Sequence, residues 1–254
     1  MAHLFKNNEH GFSIVELMIS LAITLVLLGV AIRMFSVQQD AYNSQEQVTD
    51  LHQNIRTSMD AVSREIRMAG CMVVGTSTIK TSGTSTITFL GDVDGDIITN
   101  LTTNAVVGAT TIYVSLTPDS EYSIASTDSI YISDGNHTEV VPVNSVASHL
   151  SGEPDPIYLS TGLLYSYTAG SAIVRTVEKV TFSLDTANLR IDRNSQPLAE
   201  NIEAMNFTYG TNTSTGATNT VTVAITGRTA NIDPNYGDNY HRGTLTSTIK
   251  LRNQ

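Results

Sequence analysis

The longest apolar run of the chain lies near its N-terminus, at residues 12–32, which read FSIVELMISLAITLVLLGVAI. The run contains one charged side chain, Glu16, and no proline. An α-helix rises about 1.5 Å per residue, so about 20 apolar residues cross the hydrocarbon layer of a membrane. The pattern therefore predicts a membrane-spanning helix over residues 12–32.

The predicted helix continues beyond this run with a different pattern. No proline or glycine occurs between Arg33 and Ala69, and apolar side chains recur at steps of three and four. They predict one buried stripe, made of Val48, Leu51, Ile55, Met59, Val62, Ile66 and Ala69. The opposite face holds Asp50, Gln53, Arg56, Asp60 and Arg64. Residues 33–70 are thus predicted to form an amphipathic helix that packs on a globular head and ends at Gly70.

After Gly70 the chain changes to short β-branched runs separated by Gly, Ser, Asn and Asp. Alternation in TVTVAIT and TLTSTIKL is typical of half-buried strands. The predicted strands are 86–90, 111–116, 129–132, 139–143, 172–177, 179–184, 204–209, 220–226 and 245–251. The predicted fold class is α+β, in which a long N-terminal helix packs on a mainly antiparallel β head at residues 71–254.

Residues 1–11, MAHLFKNNEHG, are polar and precede the apolar run. A secretory signal peptide would have a shorter apolar segment followed by small residues at a cleavage site, and this chain has neither. A plain signal anchor is the alternative. However, an ionised carboxylate in a lipid-facing helix costs several kcal/mol unless it has a partner. Glu16 therefore indicates more than a simple anchor.

Residues 11–17, GFSIVEL, resemble the processing motif of type IV prepilins. The resemblance implies that a prepilin peptidase cuts after Gly11, where a side chain would obstruct it, and methylates the new amine of Phe12. Residues 1–11 are then a leader, and Glu16 becomes the fifth mature residue, where pilins keep an acid. The amine of one subunit can neutralise Glu16 of another in a staggered stack of helices, which fixes register more than it adds stability.

Three further segments, 42–71, 196–210 and 242–254, look like the PilW-like minor pilins of type IV pilus systems, whereas 72–194 show no such resemblance. The implied function is a minor pilin, a structural or assembly subunit that enters a pilus through its N-terminal helix. The alternatives are a minor pseudopilin of a type II secretion system, most similar to the J-type, and an adhesin displayed by the pilus. K-type pseudopilins usually lack the acid that Glu16 provides.

The resemblance also implies partners and a location. The expected partners are the prepilin peptidase, other major and minor pilins, and the inner membrane. The chain would cross that membrane once, export its head, and later reach the pilus or cell surface. A formal net charge of -10 argues against nucleic acid as a partner. The head is large for a major pilin, which favours a minor subunit.

Little in the chain predicts chemistry of its own. It has no G-x-S-x-G, P-loop or H-E-x-x-H motif, so we do not expect the chain to be an enzyme. Asp92, Asp94 and Asp96 resemble the start of a calcium loop, but Thr103 stands where an EF-hand has Glu. A polar turn is the preferred interpretation, with no cofactor and calcium as the alternative.

The single cysteine and the later tyrosines complete the sequence predictions. Cys71 excludes an intrachain disulfide and is expected to be buried and inert. Tyr158, Tyr165, Tyr167, Tyr236 and Tyr240 cluster in the later half, and residues 231–241 are predicted to form a loop. Packing is the preferred role of these tyrosines. Contact with a neighbouring pilin or an adhesion target is the alternative.

Overall fold

The computed structural model describes residues 11, 13–73, 78–93, 98–116, 124, 128–146, 154–211, 218–233, 236–237 and 239–251. The helix is α1 (Ile14–Arg67). The strands are β1 (Ile79–Ser82), β2 (Thr86–Gly91), β3 (Ile98–Asn100), β4 (Thr111–Val114), β5 (Ser129–Ser133), β6 (Thr138–Val146), β7 (Asp155–Leu159), β8 (Ile173–Asp185), β9 (Arg190–Arg193), β10 (Gln196–Glu200), β11 (Ile202–Thr211), β12 (Thr218–Arg228) and β13 (Arg242–Lys250). The chain divides into two compact units, residues 1–49 and 50–254.

The helix α1 is shorter at its C-terminal end than the predicted helix, which reached residue 70. The two residues after Arg67 donate their N–H groups to carbonyls three residues back, and this tighter turn ends the α-helix. Gly70 has the positive φ of +75° expected of a cap glycine. Its N–H, however, donates to the carbonyl of Leu90 in β2, at 2.8 Å, so Gly70 joins the helix end to the sheet.

The predicted stripe of α1 is buried from Leu51 onward. Six of its seven positions are less than a tenth exposed, namely Leu51, Ile55, Met59, Val62, Ile66 and Ala69. Val48 is only half-buried, and the five predicted polar positions of the opposite face are exposed. Ser58 and Ser63 are also buried, which the sequence pattern did not predict. The Ser58 hydroxyl tolerates burial because it donates to the Asn54 carbonyl one turn back.

The strands pair antiparallel throughout the described residues and form two sheets. The larger sheet has the order β1-β2-β8-β5-β6-β7-β4, with β3 and β9 also paired to β8 and β10 paired to β9. The smaller sheet has the order β11-β12-β13. A long helix and mainly antiparallel sheets confirm the predicted α+β class. The two strands predicted at 172–177 and 179–184 are one strand, β8.

Residues 50–254 contain two main hydrophobic cores. The first core contains the stripe of α1 and apolar side chains of β2, β9, the C-terminal half of β8 and the small sheet, such as Phe182 and Val223. The second core is formed by β4 to β7 and the N-terminal end of β8, with Ile130 and Ile157 among its members. Because β8 contributes to both cores, it is the strand that links them.

Two features fit α1 closely against the first core. A Cβ placed on Gly227 of β12 would lie 2.9 Å from a methyl group of Leu51, so the helix and this strand approach closely at the glycine. Arg193 of β9 donates its Nε–H to both carboxylate oxygens of Glu65, at 2.8 and 3.0 Å. The Glu65 side chain is only 12% exposed, so the pair joins the helix to β9 at a partly buried position.

Candidate functional site

Gly11 is exposed immediately before the helix. A Cβ placed on Gly11 would have no other atom within 4 Å, so the chain itself leaves room for a side chain there. Phe12, the predicted new N-terminus, lies outside the described residues. The described residues therefore give no steric reason for a glycine at position 11.

Ser13 begins α1 as its N-cap residue. Its hydroxyl oxygen accepts the N–H of Val15 at 3.3 Å, and its carbonyl accepts the N–H of Leu17 at 3.1 Å. With Glu16 it forms the S-x-x-E spacing typical of helix N-termini. This spacing is the sequence signal from which the cap at Ser13 could have been predicted.

Glu16 lies in the first turn of α1, where the helix dipole favours a negative charge. Two other polar side chains of the apolar run have partners inside the helix, since Ser20 donates to the Leu17 carbonyl and Thr24 to the Ser20 carbonyl. Within the described part of the chain, no side chain bonds to Glu16.

The N-terminal half of α1 exposes apolar side chains on all sides. The large apolar residues from Ile14 to Val37 are 53–80% exposed. Soluble monomers rarely expose apolar surface of this extent, and a helix that is apolar all round normally lies in lipid or among other helices. By length and composition, α1 can cross a membrane.

The candidate calcium residues are only partly described. Asp92 follows β2 and is buried, and its N–H donates to the Cys71 carbonyl at 3.2 Å. Asp94 and Asp96 lie outside the described residues. Where the chain is described, no three His, Cys, Asp or Glu side chains are grouped to hold a metal. The expectation of no cofactor, with calcium as the alternative, stays a prediction.

Cys71 and Tyr167 differ in burial. Cys71 is half-buried, so the expectation of full burial was wrong. It lies in the turn that follows α1.

Tyr167 is 2% exposed and belongs to the second core. Burial raises the pKa of Tyr167 above its ordinary value of 10.0, and the nearby Glu139 carboxylate raises it further.

The described residues of the predicted loop, 231–233, 236–237 and 239–241, contain no helix or strand, and both tyrosines of the loop pack on nearby side chains. Tyr236 stacks on the ring of His241, with 3.9 Å between centroids, and the guanidinium of Arg228 lies 4.3 Å from the centre of the Tyr240 ring. Nε2 of His241 lies 2.9 Å from a carboxylate oxygen of Asp233. These contacts give the loop a structural role.

Residues 6–32 match the family model of the prokaryotic N-terminal methylation motif. No curated protein and no solved structure matches the chain. The matched segment includes Gly11, Phe12, Glu16 and the exposed apolar part of α1. The motif and the apolar helix fit a membrane-anchored pilin-type structural protein that a prepilin peptidase processes. The N-terminus thus supports a prepilin of the type IV pilin or pseudopilin kind.

Proposed function

We propose that the chain is a minor pilin, a structural or assembly subunit that enters a type IV pilus after leader cleavage and N-methylation. The processing motif, the exposed apolar helix and the folded β head support this proposal. The segments 42–71, 196–210 and 242–254, which look like PilW-like minor pilins, favour the minor class. The size of the head, with its two cores, agrees with a specialised subunit rather than the main building block.

The observation that carries the proposal is Glu16, which has no partner among the described residues and lies in an otherwise uncharged apolar span. In a low-dielectric environment such a carboxylate needs a positive group nearby. Cleavage after Gly11 creates that group, the α-amine of Phe12. When helices stack with a stagger, the amine of one subunit meets Glu16 of its neighbour, and the pair sets the register of the filament.

Copy number in sheared filaments tests this function. The chain is produced in a cell that assembles type IV pili, and the filaments are quantified by immunoblot against the major subunit. We expect the chain in filaments at a small fraction of the major subunit. Glu16→Ala should be processed but depleted from filaments, whereas Glu46→Ala, which removes an exposed acid of the same helix, should be incorporated normally.

Cell fractionation and a deletion strain separate the pilus from the secretion system. A minor pseudopilin would stay with the membrane fraction, and its deletion would block export of a secreted protein while leaving pili intact. That outcome would replace the pilus assignment by the pseudopilin assignment. A pilus-displayed adhesin is the second candidate function. The observation that favours it is the second core, because anchoring in a membrane needs only α1.

A further inference from the structure

The negative charge of the chain is concentrated in one region. No Lys or Arg occurs between Lys80 and Arg175, whereas the acidic residues there are Asp92, Asp94, Asp96, Asp119, Glu121, Asp128, Asp134, Glu139, Glu153 and Asp155. The charge of these ten acids equals the formal net charge of the chain, -10. The acidic and basic residues in the rest of the chain are therefore equal in number. We call residues 81–174 the acidic stretch.

The acidic stretch contains the whole of the second core. The core residues extend from Leu101 to Val174, and β3 to β7 all lie inside the stretch. The first core, which packs on α1, is built mostly from the electrically balanced remainder. The chain segments that form the two cores therefore differ in net charge as well as in position along the chain.

Two loops of the second core pair with each other and expose apolar side chains. Residues 105–109 and 163–167, named here the loop pair, are joined by backbone hydrogen bonds such as Gly108 N–H to the Leu163 carbonyl at 2.8 Å. The loop pair exposes Val106, Val107, Leu164 and Tyr165 by 63%, 62%, 70% and 40%. Exposed apolar residues grouped on paired loops are typical of interaction surfaces.

The loop pair is held rigidly. The buried carboxylate of Glu139 in β6 accepts the N–H groups of Leu164 and Tyr165, at 2.9 and 3.3 Å. The Tyr165 ring stacks on His137, with 4.5 Å between centroids. A Cβ on Gly162 would lie 2.7 Å from the Gly108 carbonyl oxygen, so glycine is required where the loops meet. Loops fixed before binding lose little conformational entropy on binding.

We propose that the loop pair binds a basic segment of a partner protein that also carries apolar side chains. The exposed valines and Leu164 provide the apolar contact, and the net negative charge of the acidic stretch attracts a basic partner. The same field repels nucleic acid, anionic membranes and the acidic stretch of a second copy. The proposal does not depend on the pilus assignment, because it concerns only the head.

Binding of designed peptides to the full-length protein in a non-ionic detergent tests the proposal. The probe is a fluorescent peptide of alternating Lys and Leu, followed by anisotropy, with Lys/Ser and Glu/Leu peptides as comparisons. We expect the double variant Val107→Ser/Leu164→Ser to bind the Lys/Leu peptide at least about tenfold more weakly. Ile232→Ser, which removes an apolar side chain that is 54% exposed outside the acidic stretch, should change affinity less than about twofold.

The remaining outcomes decide the nature of the partner. Higher salt and replacement of Lys by Glu in the probe should each weaken binding, and the Lys/Ser peptide should bind poorly because it lacks the apolar contact. The proposal is overturned if the Lys/Leu peptide does not bind, if the double variant binds as well as the wild type, or if the Glu/Leu peptide binds equally. Equal, loop-dependent binding to phosphatidylcholine vesicles would assign the surface to a membrane instead.

Discussion

Both halves of α1 are rich in apolar side chains, yet they bury them differently. From Ile14 to Val37 every large apolar side chain is at least half exposed, whereas Leu51, Ile55, Val62 and Ile66 are at most 4% exposed. In the first half the apolar residues surround the helix, and in the second half they form one stripe. A helix that is apolar on all sides needs apolar partners on all sides, such as lipid or other helices. A helix with one apolar stripe buries that stripe against the folded head alone.

The acidic residues of the two halves show the same difference. Glu65 in the second half has a partner within the chain, Arg193, at 2.8 Å. Glu16 in the first half has none among the described residues. The fold itself neutralises Glu65, whereas we propose that Glu16 is neutralised only when the chain assembles with another subunit.

The largest expected effect comes from placing a charge in the stripe. Val62→Asp should destabilise the head by about 4 kcal/mol or more, because the carboxylate would be buried without a partner. Urea titration with pulse proteolysis of the full-length protein in non-ionic detergent measures this change. The matched variant Val26→Asp should leave head stability within about 0.5 kcal/mol and reduce membrane insertion instead. Equal loss of head stability in both variants would contradict the comparison.

Removal of the helix-to-strand ion pair should have an intermediate effect. Glu65→Ala should lower the free energy of unfolding by about 1–3 kcal/mol, because it leaves the partly buried Arg193 without its charged acceptor. The same urea titration measures the change. Glu46→Ala is the control, since Glu46 is exposed and lies in the first unit. A loss below about 0.3 kcal/mol for Glu65→Ala would show that the pair does not hold α1 on β9.

A smaller and more local effect is expected where α1 begins. Ser13→Ala removes the oxygen that accepts the Val15 N–H, and loss of an N-cap costs about 1 kcal/mol. Hydrogen exchange of the first-turn amides in detergent should become about fivefold faster, with the exchange of residues 51–67 unchanged. Unchanged exchange in the first turn would show that Ser13 does not cap the helix.

The smallest effect concerns the sheet that packs on the second half of α1. Hydrogen bonds from Arg242, at 2.7 and 3.0 Å, lower the pKa of Glu203 below its ordinary value of 4.5, and the charges of Arg242 and Arg228 lower it further. Because the folded-state pKa is depressed, this stabilisation is present above pH 4.5 and is lost as the pH falls through the folded-state value. Glu203→Gln should cost about 0.5 kcal/mol at pH 7. Urea titrations should show this difference vanishing in acid, and a constant difference would contradict it.

The sequence pattern predicted the elements whose burial follows from local spacing. Apolar residues at steps of three and four correspond to the buried stripe of α1, and the alternation in β12 places Val221, Val223 and Ile225 inside. It missed strands whose polar side chains are satisfied by distant groups. In β7, Asp155 is 2% exposed and accepts the Leu116 N–H at 2.8 Å, a contact that no local pattern reveals.

Turn geometry explains another missed element, the hairpin of β9 and β10. Its two-residue turn places Asn194 and Ser195 at φ values of +49° and +67°, a conformation normally signalled by glycine. Asn-Ser is a weaker signal, and the charged sequence of β9 does not alternate clearly.

In contrast, Gly11 and Glu16 were identifiable because the motif is contiguous. The loop pair was not, because residues far apart in the chain form it.

Intact mass combined with N-terminal sequencing tests the central claim most directly. The chain is produced beside a prepilin peptidase as wild type, as Gly11→Ala and as Gly29→Ala. A Cβ has open space at both glycines, so neither variant disturbs the described fold by a clash. We expect wild type and Gly29→Ala to begin at methylated Phe12 and Gly11→Ala to keep its leader. An intact leader in the wild type, or a cut beyond Ile32, would contradict pilin-type processing.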